Sequence, residues 1–563
     1  MKAFKVLILA AVFFSCAALK DKSSNDLIYS GLAYEESGEI DSAIKSYTRS
    51  LEVGENSIAL FRLGKIYRKE RQYQKAIDCF QRLIEFDSSV RLAYYYLSDC
   101  FLKQKQYERA YQYLSKAINF YPKSQKVKAA LAGVKKALGR DFFISKKKLI
   151  DEQRKKIKLT SYFPKKEFPQ VSVGLAINLK QFSFSCPGSF LASDGNISFN
   201  GEPKVMYTVT LDGGKLVLKD YQGSQEHAAF SHTLKISSVG LNQEDYPFYI
   251  LDLTYGKGNF WQKTIDRAYR GDIEAVVKNG TLVLINRLSV EEYLYGVLSA
   301  EIPPDSHTQA LKSQAVAART LAFKNQKRHK KEGFDFCADV HCQVYQGISA
   351  ETAATTQAVD ETCGEILEFE GQSIEAFYHS NCGGCLASDV FGHPAYLVNQ
   401  LDSDKGSLDE FAKEKEEWFL NPPKTFCSGV KTSNYRWQRI YDAEDFLFAF
   451  DFKLSDLKEI VTKETGECFH TKEVEVVTAQ GRKTLRGDLA IRNYFDNLRS
   501  SAFQTEIKLS SSREPSFLIF WGAGFGHGSG LCQEGAIGMA EEGYGYQEIL
   551  EHYYPKASLK KLY

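Results

Sequence analysis

At 563 residues the chain is too long for a single hydrophobic core and divides into two or more domains. Its 72 Lys and Arg stand against 70 Asp and Glu, a near balance that argues against nucleic acid or another polyanion as the main partner. Aromatic residues, at 13%, suit folded domains and secondarily sugar-stacking surfaces, and composition does not separate the two.

Lys2 and Lys5 precede an apolar run from Val6 to Phe14 and then Ser15-Cys16-Ala17. These are the charged, apolar and small-residue regions of a secretory signal peptide over 1–16, so export to the cell envelope is expected, in the periplasm or on the outer face of a membrane. Cys16 is placed like the lipidated cysteine of a bacterial lipoprotein, although Phe13-Phe14-Ser15 departs from the small residues of a lipobox. A lipid anchor at Cys16 and an untethered exported chain both stay open. No later stretch offers the ~20 consecutive apolar residues that a membrane span requires.

From 26 to 138 the sequence repeats itself. Gly31, Tyr34, Ala43 and Tyr47 recur as Gly64, Tyr67, Ala76 and Phe80, then as Ser98, Phe101, Ala110 and Leu114, at offsets of 33 and 34 residues. This is the tetratricopeptide period, with small residues where paired helices cross and large ones filling the gap. Three such repeats predict an all-α solenoid, whose concave face is the expected seat of a protein partner; a pure spacer is the alternative. Cys79 and Cys100 fall on these helices as buried apolar residues. The basic stretch over 139–168, with Lys146-Lys147-Lys148 and Arg154-Lys155-Lys156, reads as a solvated helix and linker.

Near Gln170 the pattern changes to alternation with turn signals. Val171 to Ile177, Val205 to Val209, Leu216 to Leu218, Phe248 to Leu253 and Ile273 to Leu288 read as strands, with turns at Asp212-Gly213-Gly214 and Asn279-Gly280. This β-rich layer leads into a short helix. Ser289 and Glu292 form an S-x-x-E capping box, and Pro303-Pro304 stops the helix soon after Glu301. Leu294, Val297 and Leu298 share one apolar face with Glu301. A carboxyl placed there is partly desolvated, which raises its pKa and suits it to donate a proton near neutrality. The competing reading is a structural, salt-bridged Glu at a helix end. In the next helix Leu311, Ala315, Ala318 and Ala322 allow close backbone approach, while Arg319 is a candidate for orienting an anionic or hydroxyl-rich ligand.

Cys337, His341 and Cys342 follow, with His329 before them, and His379, Cys382 and Cys385 farther on. Two thiols and an imidazole are ordinary zinc ligands, but disulfides Cys337–Cys342 or Cys382–Cys385 are equally ordinary in an exported protein. The closing stretch WGAGFGHGSGLCQEGAIGMA carries six glycines between Gly522 and Gly535, around His527, and lacks the G-K-[ST] of a phosphate loop.

The wording EEYLYGVLSAEIPP followed by ALKSQAVAARTLA resembles the core signature of the stage II sporulation protein D/LytB family. The resemblance implies an α+β catalytic domain with a β-rich subdomain over 170–563 and therefore a multidomain protein. It implies a peptidoglycan lytic transglycosylase, or an amidase enhancer. The catalytic Glu of the family's A-E-M-P motif falls on Glu301, with Ile302 replacing Met. Tyr378 to Gly384 resembles the family loop that ends in a Gly-Gly turn beside the site, making His379, Ser380 and Asn381 candidates for binding sugar hydroxyls or an N-acetyl group. Gly526, His527 and Gln533 are carried over from the glycine-rich segment as substrate-binding candidates, while Phe525, Cys532 and Glu534 replace its usual Trp, Ser and Trp. The zinc some members hold through one His and two Cys implies His329, Cys337 and Cys342 here, with His341 or Cys382 able to substitute. The implied reaction cleaves the bond between N-acetylmuramic acid and N-acetylglucosamine with Glu301 as both acid and base, leaving 1,6-anhydro ends. The rival expectation is a noncatalytic wall-binding adaptor.

Overall fold

The computed structural model describes residues 23–154, 162–165, 167–240, 244–256, 262–392, 394–408, 415–430, 432–466 and 468–563. The signal-peptide and Cys16 expectations lie outside these residues. The described residues form two compact units. One contains the chain up to Gly139 together with Ser407–Pro423 and Thr432–Phe525, and the other contains Arg140–Gly406, Lys424–Lys431 and Gly526–Tyr563.

The first unit opens with three helical hairpins: Ser24–Ser37 with Ile40–Val53, Ser57–Lys69 with Tyr73–Phe86, and Arg91–Lys103 with Tyr107–Phe120. The repeating small residues are sterically required. A Cβ on Gly31 would come within 2.5 Å of the Tyr47 ring, and one on Gly64 within 2.6 Å of Phe80. The final helix, Gln125–Arg154, breaks at Gly139, whose φ of 74° is left-handed.

The remainder of this unit corrects the expectation of one domain over 170–563. Segment 432–525 carries a three-stranded antiparallel sheet with Pro515–Ala523 between Arg436–Tyr441 and Phe503–Leu509, and it packs on the repeats. The helices that lead the repeats receive its acidic groups. Lys65 Nζ, fully buried, meets Asp442 at 2.6 Å and Asp445 at 2.7 Å, while Arg62 binds Asp442 at 2.9 Å and Glu35 at 2.8 Å. The Tyr96 hydroxyl donates to Asp445 at 2.5 Å. From the repeat side, buried Asp87 accepts Arg439 at 2.7 Å and Arg499 at 2.6 Å, and these guanidiniums hold its carboxyl far below the usual range despite burial. The sequence pattern missed this docking because each partner, read alone, looks like a solvated charge; burial commits each to its partner, since either one alone would be left an uncompensated buried charge. Helices of the repeats thus carry a segment of the same chain through these pairs.

In the second unit, seven strands run in the order Phe336–Cys337, Gln170–Leu179, Thr281–Ser289, Asp272–Lys278, Thr233–Val239, Ser189–Ser193 and Ser198–Gly201. A six-stranded sheet is built from Lys263–Tyr269, Phe248–Tyr255, Gln181–Ser185, Met206–Asp212, Lys215–Asp220 and Glu226–Phe230. Asn279 and Gly280 both take positive φ, 49° and 72°, as a two-residue type I′ hairpin turn requires. Strand Thr281–Ser289 delivers the chain directly into helix Val290–Glu301. The expected box forms there, with Ser289 Oγ donating to Glu292 Oε2 at 2.8 Å and accepting the Glu292 N–H at 3.3 Å. Every residue from Val290 to Leu298 is buried, so the helix is enclosed on all sides rather than on one apolar face. Close packing demands Gly296, where a Cβ would lie 2.6 Å from the Tyr345 ring.

Candidate functional site

Glu301 is the last residue of that helix, and its side chain remains partly exposed although protein surrounds the carboxyl closely. Its Oε1 accepts the Val344 N–H at 2.6 Å, and the side chains of Tyr378 and Gln533 also hydrogen-bond to it. Desolvation wins over these bonds and pushes its pKa up to about 7. Its bonding partners are an amide, a phenol and a carboxamide, with no second carboxylate among them. The Tyr378 hydroxyl, which bonds Glu301, also lies 2.9 Å from Gln343 Oε1, and the buried Gln343 amide in turn reaches Tyr293 Oη at 3.4 Å and the Ala318 carbonyl at 3.3 Å. Tyr378, Gln343 and Val344 are site residues that motif reading overlooked, although Tyr378 opens the stretch Tyr378 to Gly384 and Gln343 and Val344 directly follow Cys342.

The strand Tyr378–His379 pairs in parallel with Leu531–Cys532, which brings Tyr378 and Gln533 to the same carboxyl. His379 Nδ1 donates to the Ser529 carbonyl at 3.1 Å, and its ring lies 5.3 Å from that of His527. Gly526 has a φ of 116°, and a Cβ there would strike the His379 Cβ at 2.6 Å, so the glycine permits this histidine pair. Ser380 is partly exposed, and its carbonyl accepts the Glu534 N–H at 3.0 Å.

Two sequence candidates are corrected. Arg319 is fully buried and holds Glu291 through two bonds of 2.8 Å, with further bonds to the carbonyls of Val359 and Glu365, so it braces the helices and cannot meet a ligand. Asn381 is also buried. Its amide donates to the Cys427 carbonyl and Glu534, and its oxygen accepts the Gly383 N–H, which leaves it shaping the Gly383-Gly384 turn rather than binding sugar.

His329, Cys337, His341 and Cys342 converge, with one donor atom from each lying within 4.8 Å of the others. His329 Nε2 is 3.2 Å from His341 Nδ1 and 3.3 Å from Cys342 Sγ. The Cys342 thiol beside it pulls Cys337 down to about 5, while the pKa of Cys342 is pushed up. Both are free thiols, and so is Cys382, which excludes the two disulfides considered above. Of the two possible substitutes, His341 joins this group, whereas Cys382 lies in a different cluster.

A β-rich unit holding one enclosed, near-neutral carboxyl is thus joined in one chain to a unit of helical repeats. The chain belongs to the stage II sporulation protein D family. The family model described as stage II sporulation protein matches residues 278–369, tetratricopeptide repeat models match 57–89 and 92–124, and a domain of unknown function matches 391–530. Stage II sporulation protein D of Bacillus subtilis is 30% identical over 286 residues, covering 48% of this chain and 74% of the relative. An uncharacterised protein of Brachyspira hyodysenteriae is 28% identical over 324 residues, covering 57% of this chain and 78% of the relative. The amidase enhancer of Bacillus subtilis is 26% identical over 290 residues, covering 47% of this chain and 40% of the relative.

Proposed function

We propose that this protein is a lytic transglycosylase of peptidoglycan in which Glu301 serves as both general acid and general base. The observation that carries the reading is the single carboxyl with a pKa of about 7 and only neutral hydrogen-bond partners. At neutral pH a large fraction is protonated and able to donate to the glycosidic oxygen between N-acetylmuramic acid and N-acetylglucosamine. The C–O bond breaks, the glucosamine hydroxyl leaves with that proton, and positive charge develops at the muramic C1. The C6 hydroxyl of the same sugar then attacks C1 and returns its proton to Glu301, closing the 1,6-anhydro ring. One carboxyl suffices because no water has to be activated, unlike hydrolysis with its carboxylate pair. His379, Ser380, Gly526, His527 and Gln533 border the carboxyl or its loops as candidate sugar contacts.

His329, Cys337, His341 and Cys342 fit a tetrahedral zinc in number and donor type. Bound zinc would supply a structural clamp. These residues hold the loop whose next positions, Gln343 and Val344, support Tyr378 and donate to Glu301. Export, with or without a lipid at Cys16, would bring the protein to its glycan substrate. Among the described residues no helix is long and apolar enough to cross a membrane.

A second reading, a noncatalytic wall-binding adaptor, is favoured by the similarity to an amidase enhancer. Incubation of the purified protein with glycan strands, followed by mass spectrometry, separates the two. Anhydro-ended fragments are expected from the native protein and none from Glu301→Gln; intact strands with the native protein would favour the adaptor.

A further inference from the structure

A second cluster lies in the same unit, built from Cys382, Asp402, Cys427 and Cys532. All four are buried, and one donor atom from each lies within 4.8 Å of the others. Cys382 Sγ is 3.2 Å from Asp402 Oδ2 and 3.5 Å from Cys427 Sγ. Four separate segments supply these groups, so local sequence does not explain their meeting. A carboxylate buried against three thiols is a poor apolar core, because its charge loses water without gaining a full counter-charge. Three thiolates and one carboxylate around a soft divalent ion are, by contrast, a familiar donor set.

We propose that Cys382, Asp402, Cys427 and Cys532 form a closed structural site for a thiophilic divalent cation, zinc foremost. Binding releases the three thiol protons and leaves four anionic ligands around a doubly charged ion. The surroundings suit that excess negative charge. Cys532 Sγ accepts the N–H groups of Cys382 and Gly535, each at 3.3 Å, at the start of helix Gln533–Glu541. Asp402 Oδ1 accepts the Tyr553 hydroxyl at 2.9 Å and faces His552 Nε2 at 3.3 Å. Such outer donors orient ligands and balance their charge. Gly535 leaves the room required, since a Cβ there would lie 2.1 Å from Tyr553 Oη and 2.7 Å from Asp402 Oδ2. With four protein ligands no position remains open for substrate, so the ion's work is to fasten the segment Lys424–Lys431 and the helix that begins at Gln533.

The test uses the full chain with Cys337→Ser, His341→Ala and Cys342→Ser combined, which removes the other donor group. This protein should retain a single equivalent of zinc by elemental mass spectrometry. After zinc removal, cobalt(II) should give the intense visible bands of tetrahedral thiolate coordination, and adding Cys532→Ser should abolish both signals. If Cys532→Ser does not fold, Asp402→Asn provides the second variant, with an altered cobalt spectrum expected. Absence of zinc and of a cobalt–thiolate spectrum in the triple variant would overturn the proposal. So would a Cys382–Cys427 disulfide in unreduced peptides.

Discussion

Glu301 is held with its carboxyl titrating near neutrality by burial. Its folded pKa of about 7 stands above the ordinary carboxyl value of 4.5, so between those values the native state binds more protons than the unfolded chain. Stability contributed by this group is therefore lost as pH rises from 4.5 toward 7, and the anion is strained above that range. Glu301→Gln should abolish cleavage yet melt at a higher temperature than the native protein at about pH 8, with the gap closing as pH falls toward the ordinary carboxyl range; calorimetry across pH checks this. An unchanged melting difference would mean that the carboxyl is not strained. Tyr378 lowers the Glu301 pKa through its hydrogen bond. Tyr378→Phe should accordingly move the alkaline fall of the pH–rate profile to higher pH, and a shift to lower pH would contradict the assigned bond.

Among the elements, the loop from His329 to Val344 links the His/Cys cluster to Glu301. It converts a cluster of potential metal ligands into one N–H aimed at Glu301. His341→Ala should lower turnover while leaving the far-ultraviolet dichroism unchanged, because only the loop loses definition. Ion pairs hold the elements of the first unit together. Lys65→Met would leave Asp445 buried without its cation while Asp442 keeps Arg62, and breaking such a buried pair costs about 3–5 kcal/mol. Denaturant unfolding should show that loss in the first unit, and a change below about 1 kcal/mol would imply that water reaches the pair. The amphipathic reading of helix Val290–Glu301 placed Glu301 at its end even though the helix is buried all round, since the capping box and the two prolines mark where the helix starts and stops.

Across the molecule, the repeats and segment 432–525 form one unit, which changes the expected result of truncation. A chain beginning at Gln170 loses the partners of Asp442, Asp445, Arg439 and Arg499 together. Its 432–525 segment should be digested early by trypsin, and co-expressed residues 23–139 should restore protection. Equal resistance with and without the repeats would show that the sheet at 436–523 stands alone. Legible in the chain itself were the local and periodic features: the repeat spacing, the hairpin turns, the capped helix and Glu301 at its end. These follow from backbone sterics and helix geometry within a few residues. Packing in three dimensions accounts for the remainder. It buried Arg319 and Asn381 among partners distant in sequence, sent Cys382 to a different cluster from His341, and set the repeats against segment 432–525 of the same chain. Burial and pairing depend on which residues meet across the fold, and a charge or thiol reads the same in sequence whether it faces water or its partner.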